Sequence, residues 1–279
     1  MNNKLCVITG ANSGIGFETA RELVRQGAFI VMVCRNEDKA EAAKSELLEE
    51  NPGSGVDIIL CDFASQDEIR KAANTITSSY DKIDLLINNH GFVAASYNET
   101  VDGLEETFAV NHIGYFLFTN LLLDQVKAAG KARIINVASD AHKAGKFDPE
   151  NIQLKENYSN WTAYGNSKLY NILFTIELAE RLKGTGVTAN CLHPGVIKSN
   201  FGSNSTFLVR LFWKIAGPFM KSNKEGAQTT IYLATADEVE EVNGAYFKNS
   251  KVTIPSDQAL DKEAAEKLWE ISEELCGLT

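Results

Sequence analysis

The sequence predicts an α/β fold in which helices cover both faces of a doubly wound parallel sheet. Short β-branched runs alternate with helix-like segments from residue 4 onward. Most of these runs are apolar throughout, as expected for strands that are covered on both faces. No linker rich in Pro, Gly or Ser interrupts the alternation, so residues 1–279 are predicted to form a single domain.

Six strands are predicted from the apolar runs, and five helices lie between or after them. The strands are Leu5–Thr9, Ala28–Cys34, Val56–Cys61, Ile83–Asn88, Ala132–Ser139 and Val187–His193. The helices are Gly14–Gln26, Asn36–Glu50, Ser65–Ser79, Gly103–Ala129 and Trp161–Lys183. Asn36 and Ser65 are suited to N-caps, and Gly27 and Gly184 to helix ends. Strands joined through helices give a parallel sheet with right-handed crossovers.

Composition excludes several classes of function. Hydrophobic residues make up 44% of the chain and charged residues 23%, which is typical of globular proteins. The formal net charge of −10 counts against nucleic-acid binding and against adsorption to anionic lipid. No apolar run approaches the roughly 18 residues that span a bilayer, and no secretory signal is visible. The chain is therefore predicted to be soluble and cytoplasmic.

The cysteines and histidines give no sign of a metal or disulfide site. The five cysteines include no CxxC pair and are predicted to be buried, reduced thiols. None of the four histidines shares metal-ligand spacing with another, so no metal site is predicted.

A glycine-rich turn follows the first strand and opens the first helix, in the sequence Thr9-Gly-Ala-Asn-Ser-Gly-Ile-Gly16. Gly10 would permit the tight turn, Gly14 the approach of a pyrophosphate, and Gly16 the packing of helix on strand. The helix N-terminus offers free N–H groups to the phosphates. Residues 1–140 are therefore predicted to be mainly a Rossmann-like cofactor-binding half. The predicted contacts in this turn are Gly10, Asn12, Ser13, Gly14, Ile15 and Gly16.

The end of the second strand favours NADP(H) over NAD(H). An NAD enzyme usually has an acid here that accepts hydrogen bonds from the ribose 2′-hydroxyl. This chain has Cys34 and Arg35, and a guanidinium suits a 2′-phosphate. A solvated arginine at a strand end is the alternative. Asp62, after the third strand, and Asn88 to Gly91, after the fourth, lie where ligands bind in open α/β sheets. Asp62 could instead be an exposed turn residue or helix cap.

Tyr164 and Lys168 are spaced i, i+4 on a predicted helix and so share one face. A phenol titrates near pH 10 and is a poor base at neutral pH. A nearby ammonium favours the phenolate and is expected to lower the pKa of Tyr164. Such a pair is common by chance, but here it follows a Rossmann-like half and Ser139.

With these motifs in order, the sequence resembles the short-chain dehydrogenase/reductase family, and within it the retinol dehydrogenase-like branch. The motifs are Thr9-Gly10-x-x-x-Gly14-x-Gly16, Asn88-Asn89-x-Gly91, Asn111, Ser139, Tyr164-x-x-x-Lys168 and Pro194-Gly195. The resemblance covers nearly the whole chain. It implies an NADP(H)-dependent oxidoreductase that interconverts an apolar aldehyde or ketone and its alcohol, such as retinal and retinol.

The resemblance also implies residue roles. Tyr164 would give a proton to the substrate carbonyl in reduction and act as base in oxidation. Lys168 would lower the Tyr164 pKa and hold the nicotinamide ribose. Ser139 would hydrogen-bond the carbonyl oxygen, and Asn111 would position a water that links Lys168 to solvent. For the cofactor, Pro194, Gly195 and Ser199 would shape the nicotinamide pocket, Asp62 would contact adenine, and Asn88 and Gly91 would contribute further contacts.

Two departures from the family pattern stand out. His90 occupies a position where the usual motif has alanine, and either a packing or a catalytic role is open to it. The interval from Ser139 to Tyr164 is 25 residues, which is longer than the family's common spacing. We expect Ala141–Asn160 to form a loop beside the substrate cleft.

Two other functions fit the same fold. One is a cofactor-binding regulator with weak or no turnover, and the other is an epimerase or dehydratase that uses bound cofactor catalytically. Relatives often self-associate through the helices that hold Asn111 and Tyr164, so a homo-oligomer is also possible.

Residues 199–222 are dense in apolar side chains, among them Phe207, Phe212 and Trp213. The favoured prediction is a substrate lid, because the segment begins beside the expected nicotinamide site. A pair of packed helices and a peripheral membrane-surface anchor are the alternatives.

Overall fold

The computed structural model describes residues 1–197 and 221–278. They contain one eight-stranded sheet in the order β3-β2-β1-β4-β5-β6-β7-β8. Every neighbouring pair is parallel except β7 with β8. The strands are β1 (Leu5–Thr9), β2 (Phe29–Cys34), β3 (Val56–Leu60), β4 (Leu85–Asn88), β5 (Ala132–Val137), β6 (Val187–His193), β7 (Tyr246–Lys248) and β8 (Lys251–Val252).

Helices cover both faces of this sheet, which confirms the predicted fold class. Numbered within the described residues, they are α1 (Gly14–Arg25), α2 (Glu37–Glu50), α3 (Gln66–Ser79), α4 (Glu106–Phe108), α5 (Gly114–Ala128), α6 (Asn160–Arg181), α7 (Asn223–Thr235) and α8 (Lys262–Cys276). Because side chains alternate along a strand, Val7 of β1 joins the core on one face while Cys6 and Ile8 join the core on the other.

The predicted helix signals act as expected. The Asn36 side chain accepts a hydrogen bond from the Lys39 N–H at 2.9 Å, and the Ser65 hydroxyl accepts one from the Glu68 N–H. Gly27 and Gly184 follow α1 and α6 in the left-handed region, with φ of +85° and +80°. All five cysteines are buried and free, as predicted.

The predicted helix Gly103–Ala129 differs from the observed one. The helix begins three residues later because the buried Glu105 carboxylate accepts hydrogen bonds from the Thr107 and Phe108 N–H groups. A π-helical turn, Ala109–Ile113, then separates α4 from α5. Sequence periodicity does not reveal such a turn, since a single extra residue barely changes the apolar pattern.

The segment after β6 was only partly anticipated. Strands β7 and β8 have three and two residues, which is too short for a periodic signal. Residues 198–220, which include Ser199 and most of the predicted lid, lie outside the described residues. On either side of them, Ile197 and Lys221 pair as an isolated parallel bridge. Within the described ranges, no helix is both long and apolar enough to cross a bilayer.

Candidate active site

The predicted site residues follow the carboxyl ends of neighbouring strands. The strand order reverses between β1 and β4, and a ligand crevice forms at such a switch point in open α/β sheets. The glycine-rich turn follows β1, and Asn89 to Gly91 follow β4. Ser139 comes two residues after β5, and Pro194 directly after β6. The topology thus brings segments that are distant in sequence together at the carboxyl ends of the strands.

The glycine-rich turn has the shape of a phosphate cradle. Gly10 and Gly14 adopt positive φ of +67° and +60°. A Cβ on Gly16 would lie 2.3 Å from the Gly10 carbonyl oxygen, so only glycine allows this approach of helix to turn. A Cβ on Gly14 would meet nothing within 4 Å, which leaves space in front of the turn.

The N-terminus of α1 is also available to an anion. Its N-cap, Ser13, makes no side-chain capping bond, and its first turn contains no acidic residue. By contrast, α2 and α3 are both capped by side chains and both carry two acidic residues in the first turn. Free N–H groups with no nearby carboxylate suit a pyrophosphate, so these residues fit the predicted dinucleotide.

Arg35 and Asp62 lie together beyond β2 and β3. Their side chains form an ion pair at 3.6 Å between Nη1 and Oδ2, in which Arg35 is exposed and Asp62 is partly exposed. Asp62 also accepts a hydrogen bond from the Ala64 N–H at 3.0 Å, as in an Asx turn. The guanidinium is therefore at the surface, where a 2′-phosphate could replace or join the carboxylate.

The side chains of Asn88 and Asn89 form hydrogen bonds in different parts of the fold. The fully buried Asn88 donates to Thr119 and to Asn136, both at 2.8 Å, so its side chain joins β4 to β5 and α5 inside the fold. The Asn88 side chain is thus bonded within the fold, while its backbone ends β4 at the carboxyl end of the sheet. Asn89, the second residue of the Asn88-Asn89-x-Gly91 motif, donates to the Thr9 carbonyl at 2.9 Å and so supports the start of the glycine-rich turn. Gly91 is exposed.

Tyr164, Ser139 and Lys168 meet at the end of β5. The Ser139 hydroxyl interacts with the Tyr164 phenol and acts to lower its pKa. The Lys168 ammonium lies 5.6 Å from the Tyr164 ring centroid and 5.7 Å from that of Tyr115. It donates to the Val137 carbonyl at 3.0 Å. A phenol, a hydroxyl and an amine therefore converge where a carbonyl could accept hydrogen bonds.

Burial controls the ionisation of this group. Burial raises the pKa of Tyr164 to about 12, although the hydrogen bond with Ser139 acts to lower it. Burial lowers the pKa of Lys168 to about 7. The expected lowering of the Tyr164 pKa by the ammonium is thus outweighed by desolvation. In this environment Tyr164 is a proton donor at neutral pH.

Asn111 lies in the π-helical turn and is fully buried. Its amide oxygen accepts from the Phe92 N–H at 2.7 Å, and its amide nitrogen donates to the Phe92 carbonyl at 2.8 Å. The same nitrogen lies 3.0 Å from the Ser167 hydroxyl, next to Lys168. Asn111 therefore ties the segment after β4 to helix α6, and its side chain is fully engaged. π-Helical turns are frequent at functional sites.

Pro194 and Gly195 follow β6 on the far side of the crevice. Gly195 has φ of +100°, and a Cβ there would lie 2.8 Å from the Lys221 side chain. Only glycine therefore fits this turn without displacing Lys221.

A polar cluster behind Ser139 was not found from the sequence. Asp140 accepts hydrogen bonds from the Tyr246 hydroxyl at 3.0 Å and from the Lys248 ammonium at 2.5 Å. Its own N–H donates to His193 Nδ1 at 3.1 Å. Burial raises the pKa of Asp140, but the contacts with Lys248 and His193 prevail and lower it to about 2. The cluster joins residues from three strand ends, so no local pattern could have revealed it.

His90 is held at the switch point between β1 and β4. Its two ring nitrogens lie 2.9 Å from the Thr9 hydroxyl and 2.8 Å from the Val110 carbonyl. Burial lowers its pKa to about 3. A neutral imidazole with both nitrogens engaged cannot carry protons, so these contacts count against the catalytic role that the sequence left open.

Comparisons with known proteins agree with this geometry. Residues 4–206 match the family described as short chain dehydrogenase. The chain is 44% identical to retinol dehydrogenase 12 of Mus musculus, over 99% of this chain and 87% of that protein. It is also similar to the crystal structure of an uncharacterised protein from Mycobacterium paratuberculosis, with a TM-score of 0.80 and 32% identity over 99% of this chain and 94% of that one. A blue fluorescent protein from a metagenomic library, solved with NADPH, gives a TM-score of 0.71 at 25% identity, over 88% of this chain and 96% of that one.

Proposed function

This chain belongs to the short-chain dehydrogenase family and is an oxidoreductase that acts on CH–OH groups, and from that premise we propose that it interconverts apolar aldehydes or ketones and their alcohols with NADP(H). The observation that carries the proposal is the convergence of Tyr164, Ser139 and Lys168 beside an open glycine-rich turn.

The protein's own residues position the carbonyl and supply its proton. The Ser139 hydroxyl acts on the pKa of Tyr164, so a carbonyl oxygen placed beside both side chains can accept from both hydroxyls. Tyr164 then gives its proton to that oxygen as the alcohol forms. NADPH, when bound, supplies the hydride.

Lys168 assists the proton transfer from Tyr164. Its ammonium lies beside both the Tyr164 and the Tyr115 rings and donates to the Val137 carbonyl, which fixes its position. A positive charge there favours the phenolate that remains after proton transfer. The Lys168 pKa of about 7 allows it to give a proton back to Tyr164 near neutral pH.

The choice of NADP(H) rests on Arg35. The residues that would hold the dinucleotide are the turn Gly10–Gly16, the N-terminus of α1, and Arg35 at the 2′-phosphate. No acid occupies the end of β2, where a 2′-hydroxyl would need an acceptor. Bound NADPH in a structural relative is consistent with this choice.

The apolar substrate class rests on side chains near the catalytic group. Trp161 is 55% exposed and lies three residues before Tyr164 on α6, hence on a neighbouring face. Val196 is 56% exposed and directly follows Gly195. Large apolar side chains that are solvent-exposed close in sequence to the catalytic residues favour a lipophilic ligand. Relatives named retinol dehydrogenase fit the same class.

The decisive experiment replaces Tyr164 by phenylalanine. We expect Tyr164→Phe to lose at least about 100-fold in carbonyl reduction, because general acid catalysis contributes about that much or more. NADPH binding and the unfolding midpoint should be retained. Tyr232→Phe, on α7, is the matched control. The assay follows NADPH absorbance with a panel of apolar aldehydes and ketones.

Each alternative has its own signature in that assay. A wild-type protein that binds NADPH but reduces nothing would indicate the regulator. Turnover of substrate without stoichiometric NADPH consumption would indicate an epimerase or dehydratase. Full activity of Tyr164→Phe would contradict the mechanism.

A further inference from the structure

The His90 ring lies between two elements that the reaction requires. On one side is Thr9, which opens the glycine-rich turn, and on the other is Val110, in the π-helical turn that carries Asn111. Its backbone is fixed as well, since the Tyr115 hydroxyl donates to the His90 carbonyl at 2.7 Å.

The tautomer of His90 follows from its partners. The Val110 carbonyl can only accept, so His90 Nε2 must carry the hydrogen. In the neutral ring Nδ1 is then an acceptor. The Thr9 hydroxyl also lies 3.4 Å from the Ile87 carbonyl, but Nδ1 at 2.9 Å is the nearer acceptor, so the hydroxyl donates to it. The same hydroxyl oxygen accepts from the N–H groups of Asn89 and His90, at 2.8 and 3.2 Å. Every member of this chain of hydrogen bonds therefore has a defined direction.

Packing holds the ring in this orientation. The Phe63 ring stacks on His90 with centroids 3.7 Å apart and an interplanar angle of 23°. The Tyr115 ring meets it edge-on at 4.8 Å. A Cβ on Gly114 would lie 3.0 Å from Phe63 and 3.4 Å from His90 Nε2, so the helix has glycine where the stacked rings approach.

Phe92, two residues after His90, provides the second attachment of the π-helical turn. Phe92 pairs through both its N–H and its carbonyl with the Asn111 side chain. The segment after β4 is thus hydrogen-bonded to two consecutive residues of the turn. The His90 ring bonds to Val110, and the Phe92 backbone bonds to the Asn111 side chain.

We propose that His90 is a positioning residue that locks the π-helical turn bearing Asn111 to the glycine-rich turn, through Nε2–H to the Val110 carbonyl and through Nδ1 from the Thr9 hydroxyl. It acts on the reaction through Asn111 and Tyr115, the latter adjoining Lys168, and exchanges no proton with the substrate. The effect on catalysis rests on the proposed oxidoreductase function. The locking of the turn does not.

Four substitutions separate the possible contributions. Glutamine places an amide nitrogen near the position of Nε2 and retains the Val110 contact. Asparagine places its amide near Nδ1 and retains only the Thr9 contact. Phenylalanine keeps the stack on Phe63 without hydrogen bonds, and alanine removes the ring. Each variant is checked by its unfolding midpoint.

The first readout is amide hydrogen exchange of residues 106–118 in the cofactor-free protein, which does not depend on activity. We expect exchange there to be at least about tenfold faster in His90→Phe and His90→Ala, and largely restored in His90→Gln. The second readout compares the effect of each substitution on kcat with its effect on the NADPH dissociation constant. We expect His90→Phe to lower kcat about five- to tenfold, with a change of less than about twofold in NADPH affinity and substrate KM. His90→Gln should recover most of that loss.

Two results would overturn the proposal. One is wild-type exchange and kcat in His90→Phe, which would make the ring a packing element. The other is rescue by asparagine and not by glutamine, which would assign the effect to Thr9 alone. If the wild-type protein reduces no carbonyl, the proposed function fails, while the exchange experiment still decides the role of His90.

Discussion

At the scale of single residues, Tyr164 and Lys168 show opposite pKa shifts from one cause. Burial disfavours the charged form of each, which raises the pKa of the phenol and lowers that of the amine. Ser139 opposes this for Tyr164 through its hydrogen bond. The pair thus holds a proton on the phenol, where carbonyl reduction uses it.

The first prediction concerns pH. Oxidation needs the deprotonated phenol, so kcat/KM for alcohol oxidation should rise about tenfold per pH unit below the Tyr164 pKa. Reduction uses the protonated phenol and should show no such rise. Ser139→Ala removes the bond that lowers the Tyr164 pKa, so its oxidation profile should be displaced to higher pH. This is tested by measuring the pH profile of kcat/KM for the wild-type protein and for Ser139→Ala with the same alcohol. If the two profiles coincide along the pH axis, Ser139 does not lower the Tyr164 pKa.

A second prediction concerns Arg35. Its side chain is exposed and forms an ion pair with Asp62, so the guanidinium can turn toward a 2′-phosphate. Arg35→Ala should weaken NADPH binding about 10- to 100-fold, since a charged hydrogen bond contributes about 1.5–3 kcal/mol. NADH binding should change little. Arg35→Lys keeps the charge and should lose less. Fluorescence titration with both cofactors measures this, and equal losses for the two would disprove the assignment.

At the scale of elements, the close packing of α1 against the turn after β1 shapes the predicted cofactor-binding turn. Gly16 lets the helix reach the Gly10 carbonyl, while Gly14 faces open space. The π-helical turn between α4 and α5 has a comparable role, because it places Asn111 against Phe92 and Ser167. In both cases local backbone geometry brings functional groups together.

The third prediction separates the two roles of glycine. Gly16→Ala should lower the free energy of unfolding by about 1–3 kcal/mol, because its Cβ would overlap backbone. Gly14→Ala should cost about 1–2 kcal/mol for a left-handed φ and should also weaken NADPH binding, since the methyl group enters the open space. Gly130→Ala is the matched control, with φ of +72° and nothing within 4 Å.

Gly130 lies after α5, away from the cradle. Urea unfolding and NADPH titration of the three variants should therefore give similar stability losses for Gly14→Ala and Gly130→Ala, and a binding loss only for the former. Weakened NADPH binding in Gly130→Ala would contradict this interpretation.

At the scale of the molecule, α8 covers the outer face of α5 and α6. Trp269 of α8 is nearly buried and packs against Phe116 and Phe174, with ring centroids 4.8 and 5.8 Å apart. The Arg181 guanidinium lies 4.2 Å from the Trp269 ring centroid. The Trp269 ring therefore connects α8 to both α5 and α6.

The fourth prediction follows from that packing. Trp269→Ala should lower the free energy of unfolding by about 3–5 kcal/mol, as large aromatic truncations in a core do. Trp161→Ala, at a 55% exposed position, should change it by no more than about 0.5 kcal/mol. Urea denaturation compares them, and a loss below about 1 kcal/mol for Trp269→Ala would show that α8 contributes little.

The sequence alone determined features encoded by residues close together in the chain. The apolar runs defined β1 to β6, the caps Asn36 and Ser65 placed α2 and α3, and the glycine spacing located the cradle, because each depends on local periodicity or backbone freedom. Ser139, Tyr164 and Lys168 could be predicted as site residues because they belong to a recognisable pattern.

Only the tertiary structure decided the rest. It turned Asn88 into the core, engaged both nitrogens of His90, raised the Tyr164 pKa, and assembled the cluster around Asp140. Each of these depends on groups far apart in sequence, whose distances and burial are set by the order of strands in the sheet. A hydrogen-bond direction or a desolvation penalty exists only once those groups are packed together, so no local pattern could have contained it.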